Sequence, residues 1–200
     1  MTTAGRQLLV LASSSPQRRA ILERLGVGFV VVEPQVEELT EGDPAAVACA
    51  NAERKAQEVA GRLAASGGAG GEADGPVVLG ADTLVTMEGV IYGKPADEAQ
   101  ARAMLSSLGG RWHTVVGGVS ILAGGEQLGV CAQTRVSFRP LDEATIDWYL
   151  ARGEWRGRAG GYAIQGAGAA LVREIAGDYE NVVGLPLAAV LDAYPQLLRS

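Results

Sequence analysis

The sequence predicts an α/β fold with a mixed sheet flanked by helices. Three observations carry that expectation. Apolar runs of strand length alternate with segments of helical period, and capping residues stand where the helical segments begin. Several neighbouring strand-like runs are joined by two-residue glycine turns, which connect antiparallel rather than parallel strands. The third is the material for a core: of 200 residues, 48% are hydrophobic and 20% charged. That length suits one large domain, residues 1–200, or two small lobes sharing a cleft.

The elements follow in order. Gln7 to Ala12 is a short apolar run consistent with a buried strand. After Ser13-Ser14-Ser15, Pro16 opens a helix with Ile21, Leu22 and Leu25 on one face, and Gly26 closes it. Val27 to Val32 reads as a second strand, and Asp43-Pro44 starts a long helix reaching about Leu63. Ser66 to Gly75 is rich in glycine but lacks phosphate-loop spacing, so it reads as a linker. Pro76 to Ala81 is a buried strand ending at Asp82. Thr83 to Met87 and Val90 to Tyr92 then form a hairpin across Glu88-Gly89. Asp97 and Gln100 cap a helix stopped by Gly109. Strands at Thr114 to Leu122 and Leu128 to Phe138 flank Gly124-Gly125. Asp142 opens a helix with Ile146, Tyr149 and Leu150 inward. A glycine-rich stretch, Gly157 to Gly168, leads to a strand at Ala169 to Ile175. Pro186 opens the last helix and Pro195 ends or bends it.

Composition narrows the function. A net charge of −6 argues against a general nucleic-acid or anionic-membrane binder. A phosphorylated small molecule remains compatible if a few basic residues converge. No apolar run reaches membrane-spanning length and no secretory signal pattern stands at the N-terminus, so the expectation is a soluble, cytoplasmic protein. The two cysteines, Cys49 and Cys131, lack C-x-x-C spacing and read as buried free thiols.

Candidate chemistry begins at Ser13-Ser14-Ser15-Pro16-Gln17-Arg18-Arg19. The helix start there presents free N–H groups, the hydroxyls of Ser13 or Ser15 add donors, and Arg18 adds a bidentate cation. A plain serine cap with solvated arginines is the competing reading. Lys55 falls inside the apolar arc of Ala48, Ala52, Val59 and Leu63, so its charge must snorkel or meet an anion. Asp82, past the end of a buried strand, stands where α/β sites commonly place a catalytic or Mg²⁺-binding carboxylate, or it stabilises a turn. Glu37 and Glu38 offer a second carboxylate or a solvated pair. Lys94 is an isolated lysine. Gln165, in a glycine-flanked apolar run, suits reading a base edge or a structural amide. His113 is the only histidine and reads as structural. Zinc is disfavoured by one histidine and two unclustered cysteines.

Six stretches in order, Leu11 to Arg19 (LASSSPQRR), Glu53 to Ala56 (ERKA), Leu79 to Val85 (LGADTLV), Gly93 to Pro95 (GKP), Ala159 to Gly166 (AGGYAIQG) and Asn181 to Leu187 (NVVGLPL), resemble the Maf family. The resemblance spans nearly the whole chain. It implies a mixed, strongly bent sheet with two lobes around a deep cleft, and a homodimer. It also implies Mg²⁺- or Mn²⁺-dependent hydrolysis between the α- and β-phosphates of nucleoside triphosphates. By position, Asp82 matches the proton acceptor and Glu38 the acidic residue after the second strand, the two holding the metal. Ser13, Arg18, Lys55 and Lys94 match phosphate-side groups, and Ser15 stands beside them as a substrate-binding candidate. Gln17, Thr83 and Gln165 match the positions that choose the base. Thr83 and Gln165 look like the dTTP/UTP branch, whereas Gln17 stands where that branch usually has Arg. The alternative is a nucleotide-binding regulator of cell division or septum formation.

Overall fold

A computed structural model describes residues 7–66 and 75–199. Most of the glycine-rich linker read between Ser66 and Gly75 therefore lies outside the described residues. The strands are β1 (Leu9–Ala12), β2 (Phe29–Val31), β3 (Val77–Met87), β4 (Val90–Tyr92), β5 (Trp112–Ala123), β6 (Glu126–Phe138) and β7 (Val172–Ala176). The helices are α1 (Pro16–Arg24), α2 (Pro44–Ala65), α3 (Glu98–Leu108), α4 (Glu143–Leu150), α5 (Tyr179–Val183) and α6 (Leu187–Ala193).

The seven strands form one mixed sheet in the order β2-β1-β3-β5-β6-β7, with β4 also on β3. β1 pairs in parallel with β2 and β3, and the remaining pairs are antiparallel. Both expected hairpins close on two residues with positive φ: Glu88 (54°) and Gly89 (80°), then Gly124 (57°) and Gly125 (81°). Such turns match the right-handed twist of the strands they join.

Strand alternation sorts the core into layers. Leu9 and Leu11 of β1 join the cluster containing Ile21 and Leu22 of α1 and Val190 of α6, while Val10 and Ala12 join the cluster with Ala56 and Val59 of α2. Further along, Val85, Val115 and Phe138 pack with Leu105 and Leu108 of α3 and Ile146 and Tyr149 of α4. The sheet thus has α2 on one face and the other long helices on the opposite one. α2 lies unusually close. A Cβ on Gly80 would sit 2.3 Å from the Ala52 carbonyl oxygen, and one on Gly118 2.3 Å from that of Ala48. Only glycine permits that approach, because any side chain there would overlap backbone. We expect an alanine at either position to push the helix off the sheet.

Helix starts agree with the capping residues: Asp43, Asp97 and Asp142 each accept a backbone N–H of their first turn. Ser15 is the N-cap of α1, yet its hydroxyl makes no cap bond and donates instead to Gln17 Oε1 at 3.1 Å. Three expectations need correction. β3 does not end at Asp82 but runs through it, 11 residues long. The Gly80-Ala81-Asp82 run reads as a break because glycine and aspartate are poor strand formers, but long pairing with β5 carries the strand across. The segment from Ala167 to Leu171 is a 3-10 turn, and β7 starts at Val172. Cys131 is exposed and Cys49 half-buried, so the thiols are not both buried. α5, capped by Asp178, was not anticipated.

Candidate active site

The site follows from an interruption in one ladder. Along the same edge of β3, β1 pairs with Val77 to Gly80 and β4 pairs with Val85 to Met87. Between them, 81–84 have no strand neighbour on that edge among the described residues, because β1 stops at Ala12 and the chain turns away through Ser13-Ser14-Ser15. An opening where a parallel strand ends is where open α/β sheets place ligands. Asp82 and Thr83 stand in this opening and, as adjacent strand residues, point to opposite faces.

Asp82 faces α2. Its Oδ1 accepts from Lys55 Nζ at 2.7 Å and its Oδ2 from Asn51 Nδ2 at 3.0 Å. Asn51 and Lys55 are one turn apart on the helix, so one face delivers both donors. Lys55 Nζ also lies 2.6 Å from Glu38 Oε1, and Lys94 Nζ 3.5 Å from Glu38 Oε2. Asn51 holds the loop before α2: its amide donates to Leu39 O at 3.0 Å and its carbonyl accepts Leu39 N–H at 2.8 Å, which places Glu38. Lys55 and Asp82 are each only 5% exposed, whereas the Lys94 side chain is 59% exposed at the rim. Burial by itself would raise the Glu38 carboxyl. Lys55 and then Lys94 outweigh it and hold the group below the usual carboxylate range.

Thr83 faces α1 and α5. The Arg18 guanidinium donates to Gly184 O (2.8 Å), Ser13 Oγ (2.8 Å) and Thr83 Oγ1 (3.0 Å). Ser13 Oγ also accepts the Ser15 N–H at 3.2 Å. Arg18 is 7% exposed, and among the described residues every hydrogen-bond partner it has is neutral. Burial lowers its pKa, opposed by the more distant charges of Asp82 and Glu38. Gly184 follows α5, which Asn181 anchors to β5 and β6: its amide donates to Val115 O and Thr134 Oγ1, each at 3.1 Å.

Ten of the residues singled out from the sequence line one cavity of about 600 Å³: Ser13, Ser15, Gln17, Arg18, Glu38, Lys55, Asp82, Thr83, Lys94 and Gln165. That volume suits a nucleotide-sized ligand. Glu37 does not line it. Gln165 is an exposed wall residue rather than a buried structural amide. His113 lies apart from these groups: its Nε2 meets the Tyr162 hydroxyl at 2.9 Å beside Phe138, and burial lowers its pKa to about 4. Two side chains escaped the sequence reading. Asn51 carries a signal in retrospect, a polar residue on the buried face one turn before Lys55. Arg158 reaches over from the glycine-rich stretch and donates to Gln17 Oε1. The Gly184 carbonyl has no side-chain signal at all.

Carboxylates bound by a lysine on one face of a strand gap, and a buried guanidinium on the other, define a phosphate-handling α/β protein with its site at the sheet opening. The chain belongs to the Maf family, whose model, described as Maf-like protein, matches residues 8–197. It is 45% identical over 183 residues to a dTTP/UTP pyrophosphatase of Symbiobacterium thermophilum, covering 90% of this chain and 89% of that protein. A dTTP/UTP pyrophosphatase of Pyrococcus furiosus is 41% identical, with 92% of each chain covered. A third, from Pelotomaculum thermopropionicum, is 44% identical over 92% of this chain and 93% of its own. Among the described residues no helix is long and apolar enough to cross a membrane.

Proposed function

We propose that this chain is a nucleoside triphosphate pyrophosphatase that hydrolyses the α–β phosphate bond of dTTP and UTP, giving the monophosphate and pyrophosphate. The observation that carries the reading is the division of the opening at 81–84. A fixed carboxylate lies on one side and a buried arginine without a contacting counter-ion among the described residues lies on the other. Relatives at 41–45% identity bearing that activity in their names support it.

In this mechanism the triphosphate enters with its phosphates toward Arg18 and Lys94, whose charge stabilises the pyrophosphate as it leaves. Ser13 and Ser15 donate to phosphate oxygens. Asp82, oriented by Lys55 and Asn51, accepts the proton of the water that attacks the α-phosphorus. Lys55 keeps the Asp82 and Glu38 carboxylates together in a site where they would otherwise repel. Gln17, Thr83 and Gln165 face the base, and Arg158 brings a guanidinium to Gln17, where the dTTP/UTP branch usually has arginine.

The reaction calls for Mg²⁺ or Mn²⁺, and the residues fit one. Glu38 and Asp82 already converge on a single cation, the Lys55 ammonium, at 2.6 and 2.7 Å. Mg²⁺ is commonly bound by one or two carboxylates, with substrate phosphate and water completing its shell. Among the described residues no larger cluster of metal-type ligands exists. Glu38 and Asp82 would hold the ion, which when bound supplies charge neutralisation and a more acidic water. We place the enzyme in the cytoplasm as a homodimer. Pyrophosphate release from a panel of dTTP, UTP, CTP and 7-methyl-GTP with either metal tests the reading. Release from dTTP and UTP is expected; release only from the other two would overturn the base assignment, and none at all would overturn the activity.

A further inference from the structure

The chain has two cysteines, far apart in sequence, and the fold sets them against each other outside the cleft. The Ala48–Cys49 backbone of α2 rests on Gly118, where an added Cβ would lie 2.7 Å from Cys49 N. Gly118 is in turn the cross-strand partner of Cys131. Directly opposed antiparallel residues present their side chains to the same face of the sheet, so Cys131 points toward the turn of α2 that carries Cys49. The sulfurs reach across the same seam. Cys49 Sγ points at Val130 O (3.9 Å), the neighbour of Cys131, and Cys131 Sγ points at Ala45 O (3.8 Å), one turn before Cys49. The reaction described above uses neither group.

We propose that Cys49 and Cys131 form a redox-active dithiol that closes to an intramolecular disulfide, with a low-molecular-weight disulfide as oxidant, stapling α2 to β6. Exposure sets the order of events. Burial, and next the neighbouring Cys131, push the Cys49 thiol up to about 12, whereas Cys131 is exposed. The Cys131 thiolate attacks one sulfur of the oxidant, forming a mixed disulfide and expelling one thiolate. Cys49 then loses its proton and attacks Cys131 Sγ, closing the protein disulfide and expelling the second thiolate. Two electrons pass from the protein thiols to the oxidant, and their two protons end on the two small thiols released. In a reducing cytosol the pair rests as thiols, and its closure is a transient response to oxidation.

The ring so closed holds about 80 residues, so it restricts the unfolded chain strongly. Because both sulfurs lie in the seam between α2 and β6, closing the bond is expected to turn the two side chains and to leave α2 on Gly80 and Gly118. Its expected effect is a rise in melting temperature of roughly 5–10 °C.

The test uses the full reduced chain incubated with excess oxidised glutathione and read by intact mass. The expected product is about 2 Da lighter than the reduced protein, with a single crosslinked peptide pair containing Cys49 and Cys131. It melts higher and returns to the starting curve with a reductant. C49S is expected to stop at the stage of a glutathione adduct on Cys131, and C131S to form no internal bond. A wild-type protein that keeps the adduct, forms a disulfide-linked dimer, keeps its thiols unchanged or melts lower when oxidised would overturn the proposal. Since the readouts are mass and melting, they are independent of whether dTTP and UTP are substrates.

Discussion

The two sides of the opening in β3 handle buried charge in opposite ways. On the α2 side, the Lys55 ammonium is met by two carboxylates within 2.7 Å, and Asn51 takes the remaining Asp82 oxygen. On the α1 side, the similarly buried Arg18 meets, among the described residues, only a carbonyl and two hydroxyls. A charge matched by contacting counter-ions is a finished structure: removing one member leaves another stranded. A cation with neutral partners keeps attraction for an anion not yet present. The first side therefore reads as fixed machinery and the second as a receptor for phosphate.

The sharpest way to break this comparison is at Asp82. Asp82→Asn keeps the shape and the amide neighbours but cannot accept a proton. Pyrophosphate release is expected to fall by roughly 10²–10⁴-fold, the range for a lost general base. A variant within tenfold of wild type would remove Asp82 from the reaction.

The next test separates the two cations by stability. Lys55→Met strands Asp82 and Glu38 side by side, and breaking a buried pair commonly costs about 3–5 kcal/mol. Glu38 is partly solvated, which places the expectation at the lower end of that range. Arg18→Met removes a buried charge that has no contacting counter-ion, so melting should change little or rise. Its substrate KM, by contrast, should rise by about 10-fold or more, in keeping with a lost charge-assisted contact. Equal destabilisation by the two substitutions, measured by thermal melting, would erase the distinction.

An effect that is absent at neutral pH lies away from the charged groups of the cleft, at His113. Its folded pKa of about 4 is below its ordinary value of 6.5, so below 6.5 the unfolded chain binds a proton that the folded one refuses. Stability is therefore unaffected above pH 6.5 and declines as pH falls from 6.5 toward 4, by at most about 3 kcal/mol at the end of that window. In His113→Gln this part of the decline should vanish, leaving the part due to carboxylates such as Glu38. Melting curves of both proteins from pH 7.5 to 4 read the difference.

Much of the fold was legible because its signals are local. Aspartates at 43, 97 and 142 cap helices through their own first turns, and Glu88-Gly89 and Gly124-Gly125 close hairpins through their own dihedrals. The burial of Lys55 could be read from its place in an apolar arc, since helical period alone decides which face a residue occupies. The continuation of β3 through Asp82 was not legible. Strand propensity argues for a break there, and pairing with β5, formed by residues more than 30 positions away, overrides it.

What the sequence determined by itself is the inventory and its local order: α/β class, caps, turns, the serine turn before α1, and the residue types a phosphate site needs. Only the tertiary structure decided which of them meet. The pairing of Lys55 with both Asp82 and Glu38, the neutral cage around Arg18 built from the Gly184 carbonyl, Arg158 beside Gln17, and the seam shared by Cys49 and Cys131 all join residues distant in sequence. Their positions follow from sheet register and from α2 lying on two glycines. Register and close packing are set by the whole chain at once, so no window of sequence contains them.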